Sequence, residues 1–268
     1  MRPHYELLEP PGGPARRWFT MLHGFLGAGR NWRTVARRVV EAMEDWGGLL
    51  VDLRLHGRST GFPPPHTIQA AADDLEALAA HIGHRPSAVL GHSFGGKVAL
   101  QYLRQATVPP DQVWVFDSTP DVGDPGGGVR ETLGLLREVS GPFASRQEAI
   151  AALTRRGLEE RTAVWLATNL EQRSDGVAWR PDLDALDELL RSFFTTDLWP
   201  VVDDPPQASE IHFVKADRSG LLTESASERI LRAGETTGRV FLHVLSGGHW
   251  LNADNPDGLV ELMTESLG

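Results

Sequence analysis

The chain has no cysteine among its 268 residues, which excludes a disulfide framework, a thiolate metal site and a cysteine nucleophile together. It also lacks any uncharged apolar stretch approaching the roughly 20 residues of a membrane span. The opening Met1-Arg2-Pro3-His4-Tyr5-Glu6 has no apolar region of the kind a secretory signal carries. Positive charge is scarce: 26 Lys and Arg stand against 36 Asp and Glu, for a net charge of −10. No basic run is longer than a pair such as Arg16-Arg17, a poor match to a polyanion. Lysine is nearly missing, with Lys97 and Lys215 alone. These absences lead to the expectation of a cytoplasmic protein, monomer or homodimer, with no nucleic-acid and no membrane partner. Its length suits one large domain or a domain with an insertion.

Short apolar runs alternate with longer amphipathic segments, the pattern of parallel strands joined by helices and hence of an α/β protein. Strands are predicted at Tyr5 to Leu8, Trp18 to Leu22, Gly48 to Asp52, Ser87 to Leu90, Val113 to Phe116, Ile211 to Val214 and Val240 to Leu245. Helices are predicted at Trp32 to Met43, Ile68 to His81, Gly96 to Arg104, Thr223 to Arg232 and Pro256 to Leu267. The rhythm breaks once, between about Thr119 and Val202. There a loop over 121–128 precedes candidate helices at Val129 to Glu138, Arg146 to Arg155, Glu159 to Leu170 and Leu183 to Phe194, and a Pro/Asp loop over Pro200 to Pro206 closes the segment. The expected architecture is therefore a core of residues 1–118 and 203–268 with a helical cap, 119–202, inserted after the strand that ends near Asp117. In such sheets functional loops gather at the carboxyl ends of the strands.

Gly91-His92-Ser93-Phe94-Gly95 follows one such strand and opens a helix. G-x-S-x-G in that context is the signature of a nucleophile elbow: a sharp turn lifts the serine clear of the sheet, and small residues two places either side avoid collision. The same stretch satisfies G-x-x-x-x-G-K through Lys97, most of a phosphate-cradling loop, but Val98 offers no hydroxyl where that loop needs Ser or Thr for magnesium.

After the first long strand stands His23-Gly24-Phe25-Leu26-Gly27. An HG-x turn there can bring main-chain N–H groups to the serine, which assigns Phe25 and Phe94 as oxyanion donors; a plain glycine turn is the alternative. After the last strand, Ser246-Gly247-Gly248-His249-Trp250 places a histidine that can serve as general base and then general acid. Ten histidines make any one of them weak by itself; His249 is favoured by its order after the serine and its place at a strand end. His92 and His56 are read as supporting residues. His81 and His84 have no acidic partner that would suggest a metal pair.

These motifs together, His23-Gly24-Phe25, Asp52-Leu53-Arg54-Leu55-His56-Gly57-Arg58-Ser59, the elbow at Ser93 and Gly248-His249, make the chain resemble the α/β-hydrolase superfamily along nearly its whole length. Within it the chain resembles the small abhydrolase-domain acyl esterases and thioesterases, which share a Gly-His-Ser-x-Gly-Gly-Lys elbow and an aspartate turn after the next strand, here Asp117-Ser118-Thr119-Pro120. The resemblance implies the α/β-hydrolase fold, acyl transfer to water without metal or organic cofactor, and a small-molecule ester or thioester substrate of short or medium acyl length.

Two aspartates compete to orient His249. Asp217 follows the strand after which most members of the superfamily carry the acid, yet their Gly-x-x-Asp pattern laid over Ala216-Asp217-Arg218-Ser219 puts Ser219 at the acid position. Asp117 is the match to the named esterases and is taken as the acid, with Ser219 as a hydrogen-bonding auxiliary and Asp217 as the alternative acid. Trp32, Trp165, Phe193, Trp199 and Trp250 are candidate walls of an acyl pocket; the cap's own core is the competing place for its aromatics. Three other functions fit the same residues, one of them a cofactor-free haloperoxidase or other hydrolase of the same fold. A menaquinone-pathway lyase of this fold shares the HGFLG turn and would want arginines facing the serine, with Arg30, Arg58 and Arg130 as candidates. A ligand-binding receptor could retain the triad with negligible turnover.

Overall fold

A computed structural model describes residues 1–123, 128–206 and 208–267. Seven strands form one sheet: β1 (Tyr5–Leu8), β2 (Arg17–Leu22), β3 (Trp46–Val51), β4 (Ala88–His92), β5 (Gln112–Phe116), β8 (Glu210–Ala216) and β9 (Val240–Leu245). Their order is β1-β3-β2-β4-β5-β8-β9. β1 runs antiparallel to β3, and every other neighbour is parallel. β3 and β4 are buried along their whole length, and β2 and β5 at all but their first residue. That burial is why they read as apolar runs rather than alternating ones.

The two-residue strand period nevertheless sorts side chains by face. Val113, Val115, Ile211 and Phe213 pack with α2 (Ile68–Ile82), α3 (Phe94–Gln105) and α9 (Glu224–Thr237). Trp114, Phe116, Val214 and Ala216 face α1 (Arg33–Ala42) and α11 (Pro256–Ser266). The helices stop and start where local chemistry directs. Thr67 and Thr223 accept the Ala70 and Ala226 N–H groups as N-caps, and α2 and α9 end at Gly83 and Gly238 with φ of 72° and 67°.

Between β5 and β8 lies the inserted segment, with α4 (Val129–Glu138), α5 (Arg146–Arg155), α6 (Glu160–Leu166), β6 (Leu170–Arg173), β7 (Gly176–Trp179), α7 (Leu183–Thr195) and α8 (Trp199–Asp203). The loop expected over 121–128 lies partly outside the described residues. The segment differs from expectation in two places. The helix predicted through Leu170 gives way after Leu166 to a 3-10 turn, Ala167–Asn169, and then to an antiparallel hairpin in which Leu170 pairs with Trp179. Phe143 bridges to Val177 on its outer side. Asp175-Gly176, flanked by Val177 and Trp179, was the turn signal for this hairpin. The loop predicted at Pro200 to Pro206 instead begins as α8, with Pro200 in the first turn where its missing N–H leaves nothing unsatisfied. A four-residue helix, α10 (Leu251–Asp254), follows β9. Among the described residues no helix is long and apolar enough to cross a membrane.

Candidate active site

β4 ends in a turn at Ser93, whose φ of 51° and ψ of −115° no unconstrained serine would adopt. The neighbouring glycines are required by contact: a Cβ on Gly91 would stand 2.1 Å from the Gly95 carbonyl oxygen, and one on Gly95 2.6 Å from the His23 carbonyl oxygen. The Ser93 N–H donates to Phe116 O at 2.9 Å, tying the turn to β5. α3 begins at the next residue, directing its first N–H groups toward the serine.

Asp117 leaves β5 with a φ of 44°. Its N–H donates to Val214 O at 2.8 Å, and its carboxylate is fully buried. Oδ1 accepts the Ala216 N–H at 3.3 Å, and Oδ2 accepts Nδ1–H of His249 at 2.7 Å. That bond fixes the His249 tautomer, leaving Nε2 as the free lone pair of a partly exposed ring.

The His249 loop is itself clamped. Its main-chain oxygen accepts Nε2–H of His92 at 2.7 Å, with the two rings 4.6 Å apart. Burial and the adjacent His249 ring push the His92 pKa down to about 3, so His92 stays neutral and keeps this tautomer. Asp217 stands elsewhere: its Oδ1 accepts the Gly247 N–H at 2.8 Å, the bond that chiefly holds its carboxyl below the ordinary range, and Arg218 lies 3.6 Å away. Asp217 thus pins the histidine loop without touching the ring. Ser219 reaches the same cavity, where its Oγ accepts the Leu221 N–H at 3.4 Å; the expected bond to His249 is not formed.

On the other side of Ser93, the turn after β2 carries Phe25. Neither the Phe25 nor the Phe94 N–H has a hydrogen-bond partner among the described residues, and the two rings meet edge-on with centroids 5.8 Å apart. His23, not singled out from the sequence, is fully buried and uses both ring nitrogens: Nδ1 donates to Gly24 O at 2.8 Å, and Nε2 accepts the Leu53 N–H at 3.0 Å. Burial lowers its pKa, consistent with a neutral ring. His56 packs beside Phe25 and Phe94, and burial together with His23 pushes it down to about 3.

Ser93, Asp117, His249, Phe25 and Phe94 all border one cavity of about 870 Å³. Trp32, Trp165, Phe193 and Trp250 line it as expected. Trp199 does not: it is buried in the inserted segment's footing, donating Nε1–H to Asp121 Oδ1 at 2.5 Å with the Arg229 guanidinium 4.2 Å over its ring. Of the arginines, Arg161 and Arg218 line the cavity, whereas Arg30, Arg58 and Arg130 do not. Arg30 donates instead to Thr168 O, and Arg130 lies over the Phe194 ring.

Sequence reasoning missed one tie across the site. Lys97 is completely buried on α3, and its Nζ donates to Asp121 O at 2.5 Å and Phe193 O at 2.6 Å. The Phe193 carbonyl is one of those a helix leaves unpaired at its C-terminus, where a cation is favoured. A lysine inside the otherwise uncharged run Phe94 to Leu103 was the available signal.

Comparison with known proteins agrees with this architecture. The Alpha/beta hydrolase family model matches residues 21–262. The chain is 26% identical to the sn-1-specific diacylglycerol lipase ABHD11 of Mus musculus, over 98% of this chain and 84% of that protein. It is 35% identical to 2-succinyl-6-hydroxy-2,4-cyclohexadiene-1-carboxylate synthase of Yersinia enterocolitica, over only 35% of each chain. A solved marine microorganism esterase superposes with a TM-score of 0.84 at 23% identity, covering 99% of both chains. The chain belongs to the alpha/beta hydrolase family.

Proposed function

We propose that the protein is a carboxylic-ester hydrolase that cleaves esters or thioesters through an acyl-enzyme on Ser93. The observation that supports this most is the 2.7 Å bond between Asp117 Oδ2 and His249 Nδ1, made at the cavity that also exposes the strained Ser93. With Nδ1–H committed to Asp117, His249 Nε2 takes the Ser93 proton as the hydroxyl attacks the carbonyl carbon. The developing oxyanion accepts the N–H groups of Phe25 and Phe94, whose lack of other partners leaves them ready without reorganisation. His249 then protonates the leaving alcohol or thiol, and water repeats the steps to release the acid. Asp117 stays ionised throughout and stabilises the imidazolium.

In this reading residues 1–118 and 203–268 are the catalytic core, and the chain from 119 to 202 is a cap that shapes the acyl site. Leu190, Phe193, Phe194 and Trp165 give that site an apolar wall of a size suited to short or medium acyl chains. The ABHD11 similarity supports ester chemistry. A carboxylate-rich lyase substrate finds less support: Arg30, Arg58 and Arg130 do not line the cavity, and the two arginines that do, Arg161 and Arg218, already face Asp254 and Asp217.

An acyl-length series of p-nitrophenyl esters, run on wild type and Ser93→Ala, tests the proposal. Turnover should fall by about 10⁴-fold or more in the variant, and a fluorophosphonate should label wild type alone. Equal turnover in the two proteins would overturn the reading. Stoichiometric labelling without turnover of any ester would favour a receptor that retains the triad.

A further inference from the structure

The oxyanion turn carries a strain that the core alone does not explain. Gly24 O accepts the Gly27 N–H at 2.9 Å, closing a four-residue turn whose third position, Leu26, has a φ of 59°. Glycine or asparagine ordinarily fills such a position, because a branched side chain there crowds the main chain. Such a conformation persists only where the surroundings over-determine it. What grips it comes from the inserted segment: Leu26 O accepts Nδ2–H of Asn169 at 2.8 Å, a buried bond between residues 143 apart in sequence.

Asn169 is well placed to hold still. It is 4% exposed and closes the 3-10 turn Ala167–Asn169, and its own carbonyl accepts the Arg180 N–H at 2.9 Å. Arg180 Nη1 donates to Gly57 O at 3.1 Å, and Arg30 Nη2 to Thr168 O at 3.2 Å, so this turn is fastened to the core on both sides.

The geometry runs through two peptide planes in series. Leu26 O and Gly27 N–H belong to one peptide group, so the carbonyl that Asn169 holds sets the direction of the N–H that holds Gly24 O. Gly24 O and Phe25 N–H belong to the next, and in a trans peptide the two point in opposite directions. Holding Gly24 O from one side therefore aims the Phe25 N–H at the other. We propose that Asn169 is a positioning residue for the Phe25 oxyanion donor, so that the inserted segment, besides enclosing the substrate, sets half of the oxyanion hole. This inference rests on the serine-hydrolase reading above.

The test compares Asn169→Leu, which keeps the volume without the donor, with Asn169→Gln, which keeps an amide donor, on the p-nitrophenyl ester best cleaved by wild type. Removing an oxyanion donor outright reduces rate by about 10²–10³-fold, so a donor left in place but unaimed should reduce kcat by about 10- to 100-fold. KM should stay within about twofold, since the acyl walls are untouched. Affinity for a boronic acid that forms the tetrahedral serine adduct should weaken by the same factor as kcat/KM, while the product carboxylate binds as before. Asn169→Gln should recover part of both losses. A kcat unchanged in folded Asn169→Leu, or a fall in boronate and carboxylate affinity alike, would overturn the proposal. If Asn169→Leu does not fold, Asn169→Ala, smaller and without a donor in any protonation state, replaces it; failure of both to fold would make Asn169 structural and also overturn it. Failure of the underlying reading is separate, since it appears as wild type and Ser93→Ala behaving alike.

Discussion

The two halves of the cavity are held by different means. On the sheet side, every non-glycine residue with positive φ among the described residues stands just past a strand end: Leu26 after β2, Leu55 after β3, Ser93 after β4 and Asp117 after β5. In the inserted segment the left-handed positions fall on glycines, such as Gly141, Gly157 and Gly176. Parallel strands hydrogen-bonded on both sides can hold a conformation that costs about 1–3 kcal/mol; at Leu26, which lies beyond its strand, the Asn169 amide of the inserted segment adds its hold. The contrast teaches where to look for chemistry. Strain collects where backbone direction must be fixed, and the inserted segment contributes side chains, to the cavity wall and, through Asn169, to the oxyanion turn.

Asp117, strained and fully buried, carries the His249 bond, whereas Asp217 has ordinary backbone geometry and holds only the loop through Gly247. Asp117→Asn should therefore lower kcat by about 10³–10⁴-fold through the wrong imidazole tautomer. Asp217→Asn should change it by less than about threefold, as expected of an exposed group. The p-nitrophenyl ester assay reads both. A collapse in Asp217→Asn alone would mean that backbone strain does not mark the reacting groups here.

The same division explains what could be read before the structure. All seven sheet strands and their carboxyl-end motifs were legible, because buried parallel strands are apolar runs and an elbow needs glycines at fixed offsets around Ser93. Asp117 was separable from Asp217 through the turn it begins and through the pattern that puts Ser219 at the other acid position, and the order of residues could not show that Asp217 would instead accept the Gly247 N–H. In the inserted segment local pattern ran out. The β6–β7 hairpin begins at Leu170, where the expected helix ended, in a stretch with no expected element, and Trp199, grouped with the segment's other aromatics, proved to be footing for Asp121 and Arg229. Asn169 and Lys97 act over separations that periodicity does not carry: Lys97 reaches Phe193 O across 96 residues.

The Phe193 ring lies 5.7 Å from Phe94 and borders the cavity, while its carbonyl is held by Lys97. Phe193→Ala removes the ring and leaves the carbonyl anchored, so it should act on the acyl group and spare the reacting atoms. A loss of about 1–3 kcal/mol of apolar contact corresponds to kcat/KM for the longer acyl esters falling by about tenfold or more. Acetate-ester turnover should hold within about twofold, as the oxyanion donors are untouched. An equal fall across the acyl series would place Phe193 among the groups that set the reaction itself, and the division between the halves would not hold.

The smallest effect is a slope. His23, His56 and His92 are buried in the sheet half with pKa values below the ordinary 6.5, about 3 for the last two, and the chain from 119 to 202 contains no histidine. Between about pH 3 and 6.5 the unfolded chain binds protons at His56 and His92 that the folded chain refuses, and His23 acts in the same direction, so stability is full above 6.5 and falls as pH drops. Each such ring contributes up to about 1.4 kcal/mol per pH unit. Urea unfolding should therefore show a lower midpoint at pH 5 than at pH 7, and His56→Gln should flatten the dependence by removing one ring. A midpoint unchanged between the two would mean that these rings take up protons in the folded core. The tie between the halves titrates elsewhere, because burial pushes Lys97 down to about 8. Its unfolded form binds the extra proton between 8 and about 10.5, so its contribution rises with pH there. Acid should thus strain the sheet half first, and the response to alkali should report on the Lys97 contact with the inserted segment.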